Sequence, residues 1–263
     1  MPSERIPFEN LNNTRDLGGM PAAGGRAIRH GRLIRSGHLF FASEADCARL
    51  AELADVIVDF RTPGERQEKP DPVLFGTEAH RIPIFGKPSV GTTHEVEADT
   101  RARLEVPDAE TAIASMCATY RAFVESPVPL AGYRRFLDIL LEPHGLAVLW
   151  HCTAGKDRAG FAAVVVEWLL GVDQALIRED YLATNGFLAG EVESLVEMLR
   201  VQMGGENEAA DAALRCLFTA REEYLDAAFD HARELYGSFD GFLAQGLRVT
   251  PEERVRLREL YLA

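Results

Sequence analysis

The stretch from Leu146 to Leu170 constrains the fold more than any other. Leu146-Ala147-Val148-Leu149-Trp150 is a short unbroken apolar run, the pattern of a strand buried on both faces. After a short loop, Phe161 to Leu170 is apolar nearly all round, which marks a buried central helix with Gly171 as its stop. A buried strand that feeds a buried helix through a tight loop needs a sheet covered by helices. The chain is therefore expected to be α/β.

The remaining elements fit that frame. Asp55-Val56-Ile57-Val58-Asp59-Phe60 reads as a second buried strand, stopped by the turn Arg61-Thr62-Pro63-Gly64. Gly31-Arg32-Leu33-Ile34-Arg35-Ser36 reads as a short strand after the polar, glycine-ended loop Asn13 to Gly19. Arg81-Ile82-Pro83-Ile84-Phe85 reads as another, which Pro83 would confine to an edge. Ser43 can cap a helix through Ala51, with Glu44 and Asp46 suited to its first turn. Helices are expected over Ala109 to Glu125 and Leu130 to Leu141, then after a cap at Asp173. Val192, Leu195, Val196, Leu199 and Met203 recur at helical spacing, and a long helical stretch runs from Glu208 to about Leu235. Thr250-Pro251-Glu252-Glu253 carries a capping box and opens the last helix. Gly86 to Pro107 is polar and irregular, the best candidate for a mobile loop or lid. With no repeat, low-complexity tract or linker, residues 1–263 read as a single domain with a helical C-terminal part.

Charge and cysteine usage narrow the function. A formal net charge of −13 argues against a nucleic-acid partner, which needs a broad cationic surface. It leaves room for a small anion held in a local cradle of backbone N–H groups. No apolar run is long enough for an integral membrane segment, and Met1 to Asn10 lacks the pattern of a signal peptide. The expected location is cytoplasmic, or secreted without a classical signal. Cys47, Cys117, Cys152 and Cys216 are widely spaced, without zinc-ligand spacing or a disulfide framework. Cys47, Cys117 and Cys216 read as small hydrophobes. Cys152 is different.

A Cys six positions before an Arg is not specific by itself. Here it opens the loop His151-Cys152-Thr153-Ala154-Gly155-Lys156-Asp157-Arg158, between the buried strand and the buried helix. Strand, tight loop and helix N-terminus together turn successive N–H groups and the helix dipole on an anion. Such a cradle favours thiolate over thiol, and thiolate is the nucleophile. Arg158 offers a planar fork for two phosphate oxygens and for transition-state charge. His151 can hydrogen-bond backbone around the loop. Asp157, the only acid inside the loop, is the nearest candidate to protonate a leaving alcohol.

These residues resemble the signature loop of protein tyrosine phosphatases. The Ala154-Gly155-Lys156-Asp157-Arg158 run is most similar to the bacterial tyrosine phosphatase-like family, which includes a secreted mycobacterial member. The likeness extends to Asn13 to Gly19, Gly31 to Ser36, Val58-Asp59-Phe60-Arg61, Asp180-Tyr181-Leu182 and Tyr236-Gly237-Ser238. It implies a cysteine-phosphatase fold with a central, mostly parallel sheet flanked by helices. It also implies metal-independent hydrolysis through a phosphocysteine, so no metal or cofactor is expected. Members are described as acting on phosphotyrosine, sometimes phosphoserine or phosphothreonine, and phosphoinositides, so a phosphorylated protein or a phosphoinositide is the expected partner.

Carried over, the resemblance makes Cys152 the nucleophile, Arg158 the phosphate clamp and Asp157 the proposed acid. Thr153, Ala154, Gly155, Lys156 and Asp59 are assigned to substrate binding. Lys156 is expected to set a second cation at the mouth of the loop, where phosphoinositide phosphatases have a similar run. Asp59 is also the rival acid, with a structural ion pair to Arg61 as its alternative role; Arg15 and Asp16 read as structural, and Glu65 as a supporting residue at most. The Trp-Pro-Asp acid loop of eukaryotic tyrosine phosphatases has no counterpart, and Ala159 stands where the family has Ser or Thr. Ala159 favours a competing reading, a phosphate-binding but catalytically impaired pseudophosphatase. A thiol-based arsenate reductase or sulfurtransferase could use the same cradle. Arsenate reduction would need a resolving cysteine, and none follows Cys152 before Cys216.

Overall fold

The computed structural model describes residues 3–86, 108–202, 205 and 207–263. Apart from Gly86, the segment expected to form a lid, 86–107, lies outside the described residues, as does Met203. The described strands form one six-stranded sheet in the order β1-β2-β3-β6-β4-β5. They are β1 (Glu4–Arg5), β2 (Arg15–Asp16), β3 (Leu33–Ser36), β4 (Ala54–Asp59), β5 (Glu78–Arg81) and β6 (Ala147–His151). β3, β6, β4 and β5 run parallel, while β1 and β2 add an antiparallel margin. The expected α/β architecture with a mostly parallel sheet is what the chain adopts.

Side chains alternate across the sheet because the strand period is two. Leu33, Val56, Val58, Val148 and Trp150 join the main buried cluster. Ile34, Ile57, Ala147 and Leu149 face the other way, into a smaller cluster with Leu39 and Leu50. Helix α1 (Glu44–Leu53) contributes Leu50 to that second layer, and its Ser43–Asp46 capping box is complete. Both faces of the central strands are thus dry, and the unbroken apolar runs of β4 and β6 reflect that.

The remaining helices of six or more residues are α2 (Pro63–Glu68), α3 (Ala109–Glu125), α4 (Pro127–Leu141), α5 (Arg158–Leu170), α6 (Gln174–Gln202), α7 (Glu208–Phe218), α8 (Glu222–Tyr236) and α9 (Pro251–Tyr261). Helix α5 is buried along its length, with only Trp168 half-buried. It ends on Gly171 in the left-handed region, at φ 81°. Asp173 accepts from the Ala175 N–H at 2.9 Å at the start of α6, and Thr250 opens α9 with a full capping box.

Three expectations needed correction. The single long helix from Glu208 is two, because Thr219 turns extended and Arg221 opens α8. The strand expected over 81–85 instead ends at Arg81, as β5 (Glu78–Arg81). Pro83 lacks an N–H, and Ile82 and Ile84 reach the Asp59 and Phe60 carbonyls from outside the strand. The turn at Thr62 is instead the start of α2, where Thr62 and Glu65 form a capping box with Pro63 in the first turn.

Candidate active site

Strand order decides where the loop emerges. β6 lies between β3 and β4, and its last residue, His151, is in register with Ser36 on one side and Asp59 on the other. The C-terminal edge of a parallel sheet, between strands whose connections diverge, is where α/β proteins form their crevice. The loop is stitched to both neighbours. The His38 N–H donates to the Thr153 carbonyl at 2.8 Å, and the Phe60 N–H to the His151 carbonyl at 2.9 Å. Gly155 completes the turn at φ 73°, where a Cβ would sit 2.5 Å from the Ser36 carbonyl oxygen. Only glycine fits there. Cys152 is buried at the base of this loop, and Arg158 begins α5.

Arg158 is held by a partner that composition alone does not single out. Its Nη1 and Nη2 donate to Glu65 Oε2 and Oε1 at 2.7 and 2.8 Å, a bidentate pair, and both side chains are buried. Thr153 Oγ1 also donates to Glu65, and the Thr62 N–H donates to Glu65 Oε2 at 2.9 Å. Burial pushes the Glu65 carboxyl up, but the Arg158 charge and these hydrogen bonds outweigh it and hold Glu65 well below the usual carboxylate range. Burial likewise opposes the Arg158 charge, which Glu65 more than restores. The result is a guanidinium fixed in plane before any ligand arrives. The sequence signal for Glu65 was its capping box, Thr62-Pro63-Gly64-Glu65. One carboxylate both starts α2 and orients Arg158.

A second ionic cluster holds His151. Its Nε2 lies 3.2 Å from Asp71 Oδ2, and its Nδ1 lies 3.1 Å from the Cys152 carbonyl oxygen. Burial lowers the affinity of His151 for its proton, yet Asp71 and Asp59 outweigh burial and hold the ring above its ordinary value. Asp59 itself accepts from the Arg61 N–H, Nε and Nη2, each at 2.9 Å. Asp59, Asp71 and His151 could hold a metal by their proximity. Arg61 Nη2, at 2.9 Å from Asp59 and 2.6 Å from Asp71, already supplies the cation there.

Asp157 is buried in the loop, where Tyr120 donates its hydroxyl to Asp157 Oδ1 at 2.9 Å and in turn meets the Tyr181 hydroxyl at 2.7 Å. Burial raises the Asp157 carboxyl above its ordinary value, against the pull of Lys156, the Tyr120 hydroxyl and Arg158. Lys156 does not stand at the mouth. Its ammonium is buried, donating to the Leu217 and Thr219 carbonyls at 2.5 and 3.3 Å and lying 3.4 Å from Asp157. The carbonyl-rich end of α7 offers a cation more than the crevice does. The Ala154 carbonyl accepts from Asn13 Nδ2 at 2.9 Å, and the Gly155 carbonyl from Arg35 Nη2 at 3.0 Å. Arg35 and Arg15 both bind Asp180 in a fully buried group beside Glu167, so Arg15 is structural here. Asp16 accepts from the Gly18 and Gly31 N–H groups and shapes that turn.

A model of the tyrosine phosphatase family matches residues 6–263. The chain belongs to the tyrosine phosphatase family. This family member is accordingly a phosphatase, acting on a substrate that carries a phosphate group. It is 36% identical over 264 residues to a Cupriavidus necator protein provisionally named as a tyrosine-protein phosphatase, covering 98% of this chain and 88% of that one. It is 35% identical over 107 residues, 38% of each chain, to the triple specificity protein phosphatase PtpB of Mycobacterium tuberculosis. The resemblance read from the loop therefore holds along the chain. Among the described residues of this phosphatase, no helix is long and apolar enough to cross a membrane.

Proposed function

We propose that this chain is a cysteine-dependent phosphatase that hydrolyses phosphotyrosine through a phosphocysteine. The observation that carries the reading is the bidentate Glu65–Arg158 pair. It spends a buried carboxylate on aiming one guanidinium at the loop that begins with a buried Cys152. In the first step the Cys152 thiolate attacks phosphorus and the P–O bond to the leaving oxygen breaks. Arg158 and the N–H groups of Thr153 to Arg158 take up the equatorial charge, and Asp157 gives its proton to the leaving oxygen. Water then attacks the phosphocysteine, returns a proton to Asp157 and releases phosphate and the thiolate. Asp157 suits the acid role because burial favours its protonated form. Asp59, engaged three times by Arg61, suits that role less and serves to hold the loop's flank. Lys156, turned inward, no longer supports a preference for phosphoinositides. We also read the chain as one domain, since the main buried cluster runs from Leu17 to Leu262.

Ala159 sustains one competing reading. Its methyl group is buried and cannot donate to sulfur, and its carbonyl is taken by Trp150 Nε1 at 3.0 Å. A loop that binds phosphate but turns over poorly is the consequence if nothing replaces the missing hydroxyl. The deciding experiment uses Cys152→Ser and Arg158→Ala. Cys152→Ser should abolish phosphate release yet still bind vanadate, and Arg158→Ala should lose both. Robust hydrolysis by purified Cys152→Ser would overturn the mechanism, and an inactive wild-type chain that binds vanadate would favour the pseudophosphatase.

A further inference from the structure

Beside Thr153 and Ala154 the surface opens into a cleft of about 470 Å³. The 9–13 segment, the residues after β3 and the Leu188–Glu191 face of α6 form its walls. Its charge is one-sided. Among the described residues that line it, Glu9 and Glu191 carry charge and no Lys or Arg does. Glu9 accepts from Ser43 Oγ at 2.6 Å and Glu191 from Asn12 Nδ2 at 2.7 Å. Both carboxylates are thus positioned by neutral donors, with no cation paired to either among the described residues. His38, also in the wall, adds no charge near neutrality, because burial and the neighbouring Lys69 and Arg61 lower it to about 4.

Asn13 adds a directional request. Its Nδ2 must be the atom facing the Ala154 carbonyl, since only the amide nitrogen can donate there. Its orientation is therefore settled, and Oδ1 is a buried acceptor that no described residue satisfies. Asn13 is only 3% exposed, so this acceptor is costly unless a ligand brings a donor. Phe41 and Leu188 line the same cleft and suit an aryl ring or an aliphatic stem.

Resting on the phosphatase reading above, we propose that this cleft selects phosphotyrosine peptides with Arg or Lys beside the phosphoresidue, over polyanionic phosphate esters. A basic side chain would lay its stem on the apolar wall and its head on Glu9 and Glu191, and peptide N–H groups would meet Asn13 Oδ1. A polyphosphorylated ring would face two carboxylates and a chain of net charge −13.

The test measures kcat/KM on the full chain with three phosphotyrosine peptides of equal length, flanked by Arg, Ala or Glu. A soluble short-chain phosphoinositide and nitrophenyl phosphate run alongside. The Arg-flanked peptide should exceed the Glu-flanked one by about tenfold, the scale of two exposed charge pairs reversed in sign. That ratio should shrink toward one in about 0.5 M salt and in Glu9→Gln/Glu191→Gln. If the double variant does not fold, each single substitution and the salt series read the same charges. Release of phosphate with the Glu-flanked peptide or the phosphoinositide favoured would overturn the inference and leave the phosphatase reading standing. An Arg preference that survives both substitutions and salt would move the discrimination away from this cleft and overturn it too. No release from any substrate, nitrophenyl phosphate included, would remove the phosphatase reading and this inference with it.

Discussion

Replacing Glu65 with alanine strips Arg158 of both carboxylate oxygens, now 2.7 and 2.8 Å away, inside a site where neither side chain reaches solvent. Breaking one side of a buried ion pair leaves an uncompensated charge and typically costs about 3–5 kcal/mol. At about 2–4 °C per kcal/mol for a chain of this size, the melting temperature should fall by roughly 10 °C. The guanidinium would also lose its plane, and a misplacement on the order of 1 Å can cost about 10²-fold in kcat. Vanadate should stabilise Glu65→Ala more than wild type, because the anion supplies the missing counter-charge. Thermal melts with and without vanadate, beside nitrophenyl phosphate kinetics, test all three effects. The pH dependence has a defined sign. Glu65 is depressed from its ordinary 4.5, so its contribution is present above that pH and is lost as pH falls below it. The gap between wild type and Glu65→Gln should therefore narrow below about pH 4.5. A variant that melts within about 2 °C of wild type and keeps its kcat would refute the reasoning, since by the same scale the pair would be worth under about 1 kcal/mol.

Three further outcomes follow from the same geometry. Asp157→Asn should lose more rate on alkyl phosphates than on nitrophenyl phosphate, by up to about 10²–10⁴-fold, since a good leaving group needs little acid; if Asp59→Asn shows that dependence instead, the acid assignment moves. Wild type should give a burst of leaving group and then slow turnover, and Ala159→Thr should speed the slow phase by about 10-fold or more, the worth of a hydrogen bond to a charged sulfur. A steady rate without a burst, unchanged by Ala159→Thr, would show that another donor serves the sulfur. Glu167 is fully buried and, through burial first and Asp180 second, held well above its ordinary 4.5. The stability tied to its proton is complete below that pH and drains away as pH rises, so Glu167→Gln should melt higher than wild type at pH 8 and about level with it near pH 4. Destabilisation at pH 8 would mean that Glu167 is ionised and balances Arg15 and Arg35.

Local chemistry made the frame of this site readable in advance. The apolar runs at 55–60 and 146–150, each within a residue of a strand, the caps at Ser43, Asp173 and Thr250, and the loop between strand and helix all rest on contacts within a few residues. What escaped is long-range. Glu65 meets Arg158, Tyr120 meets Asp157 and Arg35 meets Gly155 across distances in sequence that no periodicity records. Lys156 shows the limit most clearly. A lysine in an anion-binding loop points outward on charge alone, but the open carbonyls at the end of α7 drew it inward.

The order of strands has a consequence for how the molecule is made. β6 inserts between β3 and β4, both of which leave the ribosome long before it. Until residues 147–151 arrive, the half-built sheet presents two facing edges of unpaired N–H and C=O groups, each lined by apolar side chains. Nascent chains halted before residue 147 should therefore be prone to edge-to-edge association, and sheet closure should be a late, non-local step. Because Cys152 directly follows the last residue of the inserting strand, the step that seals those edges also delivers the thiol to the crevice. A chain trapped with the gap open would be sticky and inert together, and rescue of solubility should track recovery of Cys152 reactivity.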